Sequence, residues 1–365
     1  MEKFKVGIVG CTGMVGQRFV TLLANHPWFE LTALAASARS AGKTYEEVAG
    51  KRWMMADPMP ESVKNMVVLD AEADIDAFCA QVDFTFCAVN MKKDEIRALE
   101  ERYARHECPV VSNNSAHRHT PDVPMVVPEI NPQHIAVIES QRKRLGTERG
   151  FIAVKSNCSL QSYVPALHPL REKYGLEKAL VCTYQAISGA GKNFETWPEM
   201  VDNVIPYIGG EEEKSEQEPM KLWGTVEDGR IVDAKSPAIT SQCLRVPVTD
   251  GHMAAVFFSF PEGIAKPSVE EIKETWASFR GRAQELELPS APKQFLHYFE
   301  DPAYPQTRLQ RDLEGGMAIS LGRLRPDSQY DYKFVGLSHN TLRGAAGGGV
   351  LLAELLCAEG YITRK

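Results

Sequence analysis

Cys158 stands where a nucleophile would be useful. It lies in Lys-Ser-Asn-Cys-Ser-Leu-Gln, directly after the apolar stretch Phe151–Lys155, which reads as a strand, and at the start of helical spacing. A strand-to-helix junction exposes a side chain, and the free N–H groups and dipole of a helix N-terminus favour thiolate over thiol. The other cysteines, at 11, 79, 87, 108, 182, 243 and 357, lack this setting, with no Cys-x-x-Cys pair and no Cys/His cluster at zinc spacing. They read as buried thiols, not as a disulfide framework or a metal site. A thiolate that takes up an acyl group needs a proton-handling partner, most often histidine. His252 follows Leu-Arg-Val-Pro-Val-Thr-Asp-Gly, in which Asp250-Gly251 is a hairpin signal. A two-residue loop there would pair Thr249 with His252, and strand alternation would set Arg245 on the same sheet face as His252. A cation and a base would then line one surface.

A second constellation is built of glycine. Gly7 to Gly16 reads G-I-V-G-C-T-G-M-V-G, so Gly10, Gly13 and Gly16 punctuate the turn between the first strand pattern and the first helical one. Glycine there lets the backbone approach a pyrophosphate at a helix N-terminus. The spacing G-x-x-G-x-x-G departs from the commoner G-x-G-x-x-G fingerprint. The second strand ends Ala-Ala-Ser37-Ala-Arg39-Ser40 with Lys43 beyond, where an NAD enzyme usually carries an acid for the ribose 2′-hydroxyl. Hydroxyls and a guanidinium suit a 2′-phosphate, which favours NADP.

The surrounding elements are consistent with these roles. Apolar strand patterns at 4–9, 31–35, 67–69, 84–88 and 109–112 alternate with helical spacing at 14–25 and 93–105, which predicts an α/β domain with a parallel, doubly wound sheet. From Phe151 the texture changes. Strands are expected at 151–155, 179–186, 244–248, 252–260, 317–321 and 330–337, with helices only at about 159–174 and 268–287. Strand runs with few crossovers predict an α+β domain with a largely antiparallel sheet. The apolar helix at 342–357 should return to the first domain, and 187–240 and 289–312 read as loops. The expected division is 1–155 for the dinucleotide, completed by 341–365, and 156–340 for catalysis and dimerisation.

At 365 residues the chain can bury two cores, and its net charge of −7, with basic residues scattered, offers no footprint for nucleic acid or an anionic membrane. No apolar run approaches the roughly 20 residues that span a bilayer, and the start of the sequence lacks the sections of a secretory signal. A cytoplasmic protein is expected.

Taken together, Gly10–Gly16, Ser156–Ser159 (S-N-C-S), Gln185–Gly191 (Q-A-I-S-G-A-G), Asn203–Lys214 (N-V-I-P-Y-I-G-G-E-E-E-K), Arg245–His252 and Arg343–Gly348 resemble the aspartate-β-semialdehyde dehydrogenases. The resemblance runs from Lys5 to about Glu359, and the G-G-E-E-E-K form is similar to the archaeal and fungal-like branch. It implies a Rossmann-type domain, a catalytic and dimerisation domain, and NADPH-dependent reduction of L-aspartyl-4-phosphate to L-aspartate 4-semialdehyde with release of phosphate. It further implies Cys158 as nucleophile, His252 as acid/base and Gln185 as the group orienting substrate. Arg245 would hold the α-carboxylate, Glu211 the α-ammonium, and Lys214 and Arg118 the phosphate. Thr12, Gly13, Met14 and Val15 match the pyrophosphate turn, and Ser37, Arg39 and Ser40 the 2′-phosphate region. Ser188, Gly189 and Asn340 match positions near the nicotinamide, although His-Asn stands where Asp-Asn is commoner. A homodimer or homotetramer is implied. The rival readings are a related acyl reductase such as a malonyl-CoA reductase, a more distant N-acetyl-glutamyl-phosphate reductase, and a non-enzymatic NADP-binding regulator. Glu211 separates the first from the expected activity, because an ammonium partner serves only a substrate with a free amino group.

Overall fold

Strand β1 (Phe4–Val9) buries its last four residues on both faces, the pattern required of a central parallel strand. In the structure, a computed structural model that describes residues 2–365, it sits mid-sheet. β2 (Phe29–Ala36), β3 (Val68–Asp70), β4 (Phe84–Cys87), β5 (Val110–Ser112) and β6 (Ile152–Val154) complete a wholly parallel sheet in the order β3-β2-β1-β4-β5-β6. The order reverses at β1, which opens a crevice at the carboxyl ends of β1 and β4. The helix Met14–Leu23 leaves that crevice, and its Phe19 stacks on Phe86 of β4 with ring centroids 4.4 Å apart. The helix Lys93–Arg105 forms as expected and buries Ile96, Leu99, Tyr103 and Ala104, one stripe at helical spacing.

The second sheet is antiparallel in most of its pairings, as expected, with two parallel ones added. β7 (Lys178–Gln185), β10 (Ala238–Arg245), β11 (His252–Ser259), β12 (Leu296–Phe299), β13 (Ile319–Pro326) and β14 (Tyr332–Ser338) lie in the order β10-β7-β11-β14-β13-β12, apart from a small hairpin of β8 (Thr225–Glu227) and β9 (Arg230–Val232). β10 pairs parallel with β7 and β12 parallel with β13, while the other three pairings are antiparallel, so the sheet is mixed. The parallel β7–β10 pair requires a crossover, and the connection carries a helix, Glu211–Leu222, inside the stretch expected to be loop. That helix has little apolar periodicity because its buried face includes Glu211, Ser215, Glu218 and Lys221.

The expected hairpin at Asp250-Gly251 does not form. β7 lies between β10 and β11, and the strand expected at 244–248 instead runs Ala238–Arg245 and ends before Pro247, which has no N–H for the ladder. The intended convergence survives by another register. Arg245 pairs with Gln185, and Met253 with Tyr184, so His252 comes level with Gln185 on the other side of β7. Arg245, Gln185 and His252 thus form a row across three strands with side chains on one face.

Two helices begin later than expected or break. After Cys158 a short 3₁₀ turn, Ser159–Ser162, precedes the α-helix Val164–Tyr174, and the helix expected at 268–287 runs Val269–Ser278 with a separate turn at Arg282–Glu285. The last helix, Gly347–Ala358, follows a π-type turn at Leu342–Ala346 and packs Val350, Leu351 and Leu355 into one core with Phe19 and Phe86. Among the described residues no helix is long and apolar enough to cross a membrane.

Candidate active site

The half-buried Cys158 sits in the loop beyond β6, and its Sγ lies 3.4 Å from Nε2 of His252. The expected α-helix N-terminus is absent from the sulfur, since the α-helix begins only at Val164. Burial, with the Glu211 carboxylate adding to it, pushes the thiol above its ordinary value, against the pull of Lys155, Arg118 and Arg245. The expectation of a dipole-lowered thiol therefore does not hold for the free protein.

His252 is fully buried, and burial, with Arg245 and His339 adding to it, holds its pKa well below the usual imidazole range. The Ala186 N–H donates to its Nδ1 at 3.0 Å. A backbone donor there makes Nδ1 the acceptor, so the neutral ring carries its proton on Nε2, facing the sulfur. The carbonyl of the same Ala186 accepts from Nη1 of Arg245 at 2.7 Å. One residue thereby orients both the imidazole and the guanidinium. Gly189 packs over the pair, where a Cβ would meet Arg245 Nη1 at 2.9 Å and His252 Nε2 at 3.1 Å.

The helix Glu211–Leu222 presents Glu211, Lys214 and Glu218 at positions i, i+3 and i+7 of one face. Glu211 accepts from Nδ2 of Asn157 at 3.1 Å, from Nε2 of Gln185 at 3.3 Å and from Nζ of Lys214 at 2.6 Å. Burial alone would raise its carboxyl, but the Lys214 charge and these hydrogen bonds outweigh it and the net shift is downward. Gln185 also donates to Oγ1 of Thr183 at 3.2 Å. Glu218, 1% exposed, pairs with Nη1 of Arg118 at 2.9 Å and accepts the Asn157 N–H at 2.6 Å. Arg118 donates further to the carbonyls of Lys155 and Asn113. It is thereby tied to the peptide next to the nucleophile.

The glycine turn fits a dinucleotide pyrophosphate. Gly10 has φ +91°, and a Cβ on Gly16 would lie 2.3 Å from the Gly10 carbonyl oxygen, so both positions require glycine. At Gly13 a Cβ would meet nothing nearer than 3.9 Å, leaving open space at the first turn of Met14–Leu23, which no side chain caps. Thr12 gives its carbonyl to Gln17 Nε2 at 3.1 Å, which braces the turn. Ser37, Arg39 and Ser40 follow β2 in a turn closed by Ser40 N–H to the Ser37 carbonyl at 2.8 Å, with Ser37 and Arg39 exposed.

A cavity of about 150 Å³ joins the two halves, its wall including Met14, Val15, Asn113, Arg118, Lys155, Asn157, Cys158, Ser188, Gly189 and Asn340. Asn340 bridges the cavity loops, accepting from the Gly251 N–H at 2.8 Å and donating to Ser188 Oγ at 2.9 Å. Gln185, Arg245, Glu211, Lys214 and His252 flank the cavity, linked to it through Asn157, Gly189 and Cys158. Ser37, Arg39 and Ser40 lie apart, beyond the crevice at the end of β2. Among the described residues no cluster of ligating side chains could hold a metal ion.

Sequence reasoning missed Asn157, Glu218 and Lys155, and also Arg343, whose guanidinium grips both Glu129 oxygens at 2.9 and 2.5 Å and donates to Gln161 at 3.0 Å. Glu218 carried one usable signal, the heptad distance from Glu211 in a helix the sequence had hidden.

Comparison with known proteins accords with this geometry. Residues 5–138 match the profile described as semialdehyde dehydrogenase, NAD binding domain, and residues 167–343 that of the semialdehyde dehydrogenase dimerisation domain. The chain is 42% identical over 366 residues to the aspartate-semialdehyde dehydrogenase of Aspergillus fumigatus, covering 99% of each chain. It is 42% identical over 353 residues to that of Methanothermobacter thermautotrophicus, covering 96% of this chain and 98% of the relative. The crystal structure of the Candida albicans aspartate semialdehyde dehydrogenase with NADP superimposes with a TM-score of 0.88 at 39% identity, covering 99% of this chain and 100% of that one. Full-length likeness to fungal and archaeal enzymes, on a fold that sets cysteine, histidine and a glycine turn around one cavity, means that the chain belongs to the aspartate-semialdehyde dehydrogenase family.

Proposed function

We propose that the chain reduces L-aspartyl-4-phosphate to L-aspartate 4-semialdehyde through a thioester on Cys158. The observation that carries this reading is the 3.4 Å approach of His252 Nε2 to Cys158 Sγ at a cavity walled by Arg118. The Cys158 thiol first loses its proton to water. The resulting thiolate attacks the acyl carbon, the carbon–oxygen bond to phosphate breaks, and phosphate departs toward Arg118 and Lys214. Bound NADPH supplies the hydride that reduces the acyl carbon. The carbon–sulfur bond then breaks, the carbonyl re-forms as aldehyde and the electron pair returns to sulfur. His252 offers Nε2–H to the oxygen that bears charge in each tetrahedral state, a fixed donor in a dry site.

Arg245 takes the substrate α-carboxylate and Glu211 its α-ammonium, with Gln185 orienting the acyl group between them. Gly10, Thr12, Gly13, Met14, Val15 and Gly16 hold the NADP pyrophosphate. Ser37, Arg39 and Ser40 hold the 2′-phosphate, and Ser188, Gly189 and Asn340 border the nicotinamide. Free space at Gly13, and the lack of an acid after β2, support NADP as the cofactor. The same reading divides the chain into 1–155 with 341–365 and 156–340.

A homodimer or homotetramer is part of this proposal. One face of the second sheet leaves Leu180, Leu244, Met253, Phe257 and Val335 only half covered, with Tyr184 37% exposed. Such a face is covered by a second copy more readily than by water. Cytoplasmic residence belongs to the reading as well, in keeping with eight free thiols and no disulfide.

The test is reduction of NADP by aspartate semialdehyde, followed by NADPH absorbance. Phosphate-dependent turnover is expected in the wild type and a loss of about a thousandfold or more in Cys158→Ala. Undiminished turnover in the variant would overturn the covalent route.

A further inference from the structure

Lys155 ends the segment that β6 feeds into the nucleophile loop, three residues before Cys158, and lines the same cavity as Cys158 and Arg118. It is 4% exposed. Its Nζ donates to the Ser156 carbonyl at 2.5 Å, and among the described residues it forms no ion pair with a carboxylate. An ammonium shut away from water without an anion costs several kcal/mol. The charged and titratable groups around it are Arg118 from the loop after β5, Cys158 from its own loop, and Glu211 and Glu218 from the crossover helix. Burial, reinforced by Arg118, pushes its amine down to about 7.

Its two neighbours in charge are already engaged. Arg118 is neutralised by Glu218 at 2.9 Å, and Lys214 by Glu211 at 2.6 Å. Of the two cations that line the cavity, Arg118 and Lys155, Lys155 is the one without a counter-charge among the described residues. Arg245, which flanks the cavity and also lacks a carboxylate among them, is held by the Ala186 carbonyl and assigned to the substrate α-carboxylate.

We propose that Lys155 is a phosphate-binding residue, its ammonium taking the leaving phosphate of the acyl phosphate together with Arg118. This rests on the reading of Cys158 and Arg118 given above. An arriving phosphate satisfies the buried ammonium, and charge gathering on the departing oxygen is met at once by a fixed cation. The cavity then favours the phosphate-bearing form of the substrate over a neutral activated acyl group such as a thioester.

The experiment measures initial rates of semialdehyde oxidation with inorganic phosphate varied, in the wild type, Lys155→Met and Lys155→Gln. NADPH affinity is followed in parallel by nucleotide fluorescence. The expected result is a phosphate KM raised about tenfold or more in both variants, with semialdehyde KM and NADPH affinity close to wild type. A wild type without phosphate dependence would bring down the site reading itself. A phosphate-dependent wild type whose variants keep the phosphate KM would overturn the Lys155 assignment alone. The assignment also falls if the variants slow Cys158 alkylation at unchanged phosphate KM, since Lys155 would then act on the sulfur, or if both lose NADPH binding, since its role would then be in the frame.

Discussion

A methyl group on the Cα of Gly344 would lie 2.8 Å from Cβ of Cys158 and 3.1 Å from its Cα. Neither side can easily yield: Gly344 N–H is bonded to the His339 carbonyl at 2.9 Å, and Arg343 beside it is held by Glu129 and Gln161. Gly344→Ala must therefore displace the nucleophile. Because misplacement by about 1 Å can cost a hundredfold, kcat should drop about ten- to a hundredfold with NADPH affinity retained. Steady-state kinetics with fluorescence titration reads both, and an unchanged kcat would show that the contact positions nothing.

Glu218 serves two partners, Arg118 and the Asn157 N–H. Glu218→Ala leaves a buried guanidinium without its carboxylate, a change that typically costs about 3–5 kcal/mol. The thermal midpoint should fall by about 5–10 °C and the phosphate KM should rise. Calorimetry and initial rates check the two effects, and a midpoint within a degree of wild type would show the pair to be dispensable.

Glu211 is the group proposed to recognise the substrate amine. Glu211→Gln keeps the shape and removes the charge, so the KM for aspartate semialdehyde should rise about tenfold or more. The KM for succinate semialdehyde, which has no amine, should stay near its wild-type value. Equal effects on both substrates would remove the ammonium role.

Cys158 and His252 should give a simple pH dependence. The thiol lies above its ordinary value and His252 stays neutral well below pH 6.5. Alkylation of Cys158 by iodoacetamide in the free protein should therefore climb about tenfold per pH unit from pH 6 to 9. A plateau by pH 7 would instead reveal a thiolate–imidazolium pair.

Three other histidines set an acid limit. Burial is the main cause that pushes His117, His168 and His339 each down to about 4, below the usual 6.5. Between those values the unfolded chain binds protons that the folded chain refuses, so stability is lost as pH falls and is untouched above about pH 7. Each histidine can contribute up to about 1.4 kcal/mol per pH unit. Urea midpoints at pH 7, 6 and 5 should decline progressively, and replacing His168 by Gln should flatten the decline.

The legible parts of this protein were those whose burial is apolar. β1 declares itself as a short continuous apolar run, and the helix Lys93–Arg105 and β11 because each buries hydrophobic side chains at the period of its backbone. The helix Glu211–Leu222 was invisible for the opposite reason: the side chains it buries include the carboxylates of Glu211 and Glu218 and the ammonium of Lys221. The hairpin at Asp250-Gly251 misled because turn residues report a local bend, whereas the position of β7 between β10 and β11 is a long-range choice. Cys158 and His252 were singled out from local context, but the shift of the thiol depends first on burial and then on Glu211, Lys155, Arg118 and Arg245, which meet only in the folded chain.

The segment from His339 to Ala346 supplies Asn340 to Ser188 and Gly251, Arg343 to Glu129 and Gln161, and Gly344 to Cys158. It also follows, in chain order, every group that it braces. Without it the nucleophile loop lacks its backstop, and without the helix that follows the core around Phe19 and Phe86 lacks Val350, Leu351 and Leu355. Seating of the nucleophile and closure of the first core therefore wait on one continuous stretch, residues 339–358.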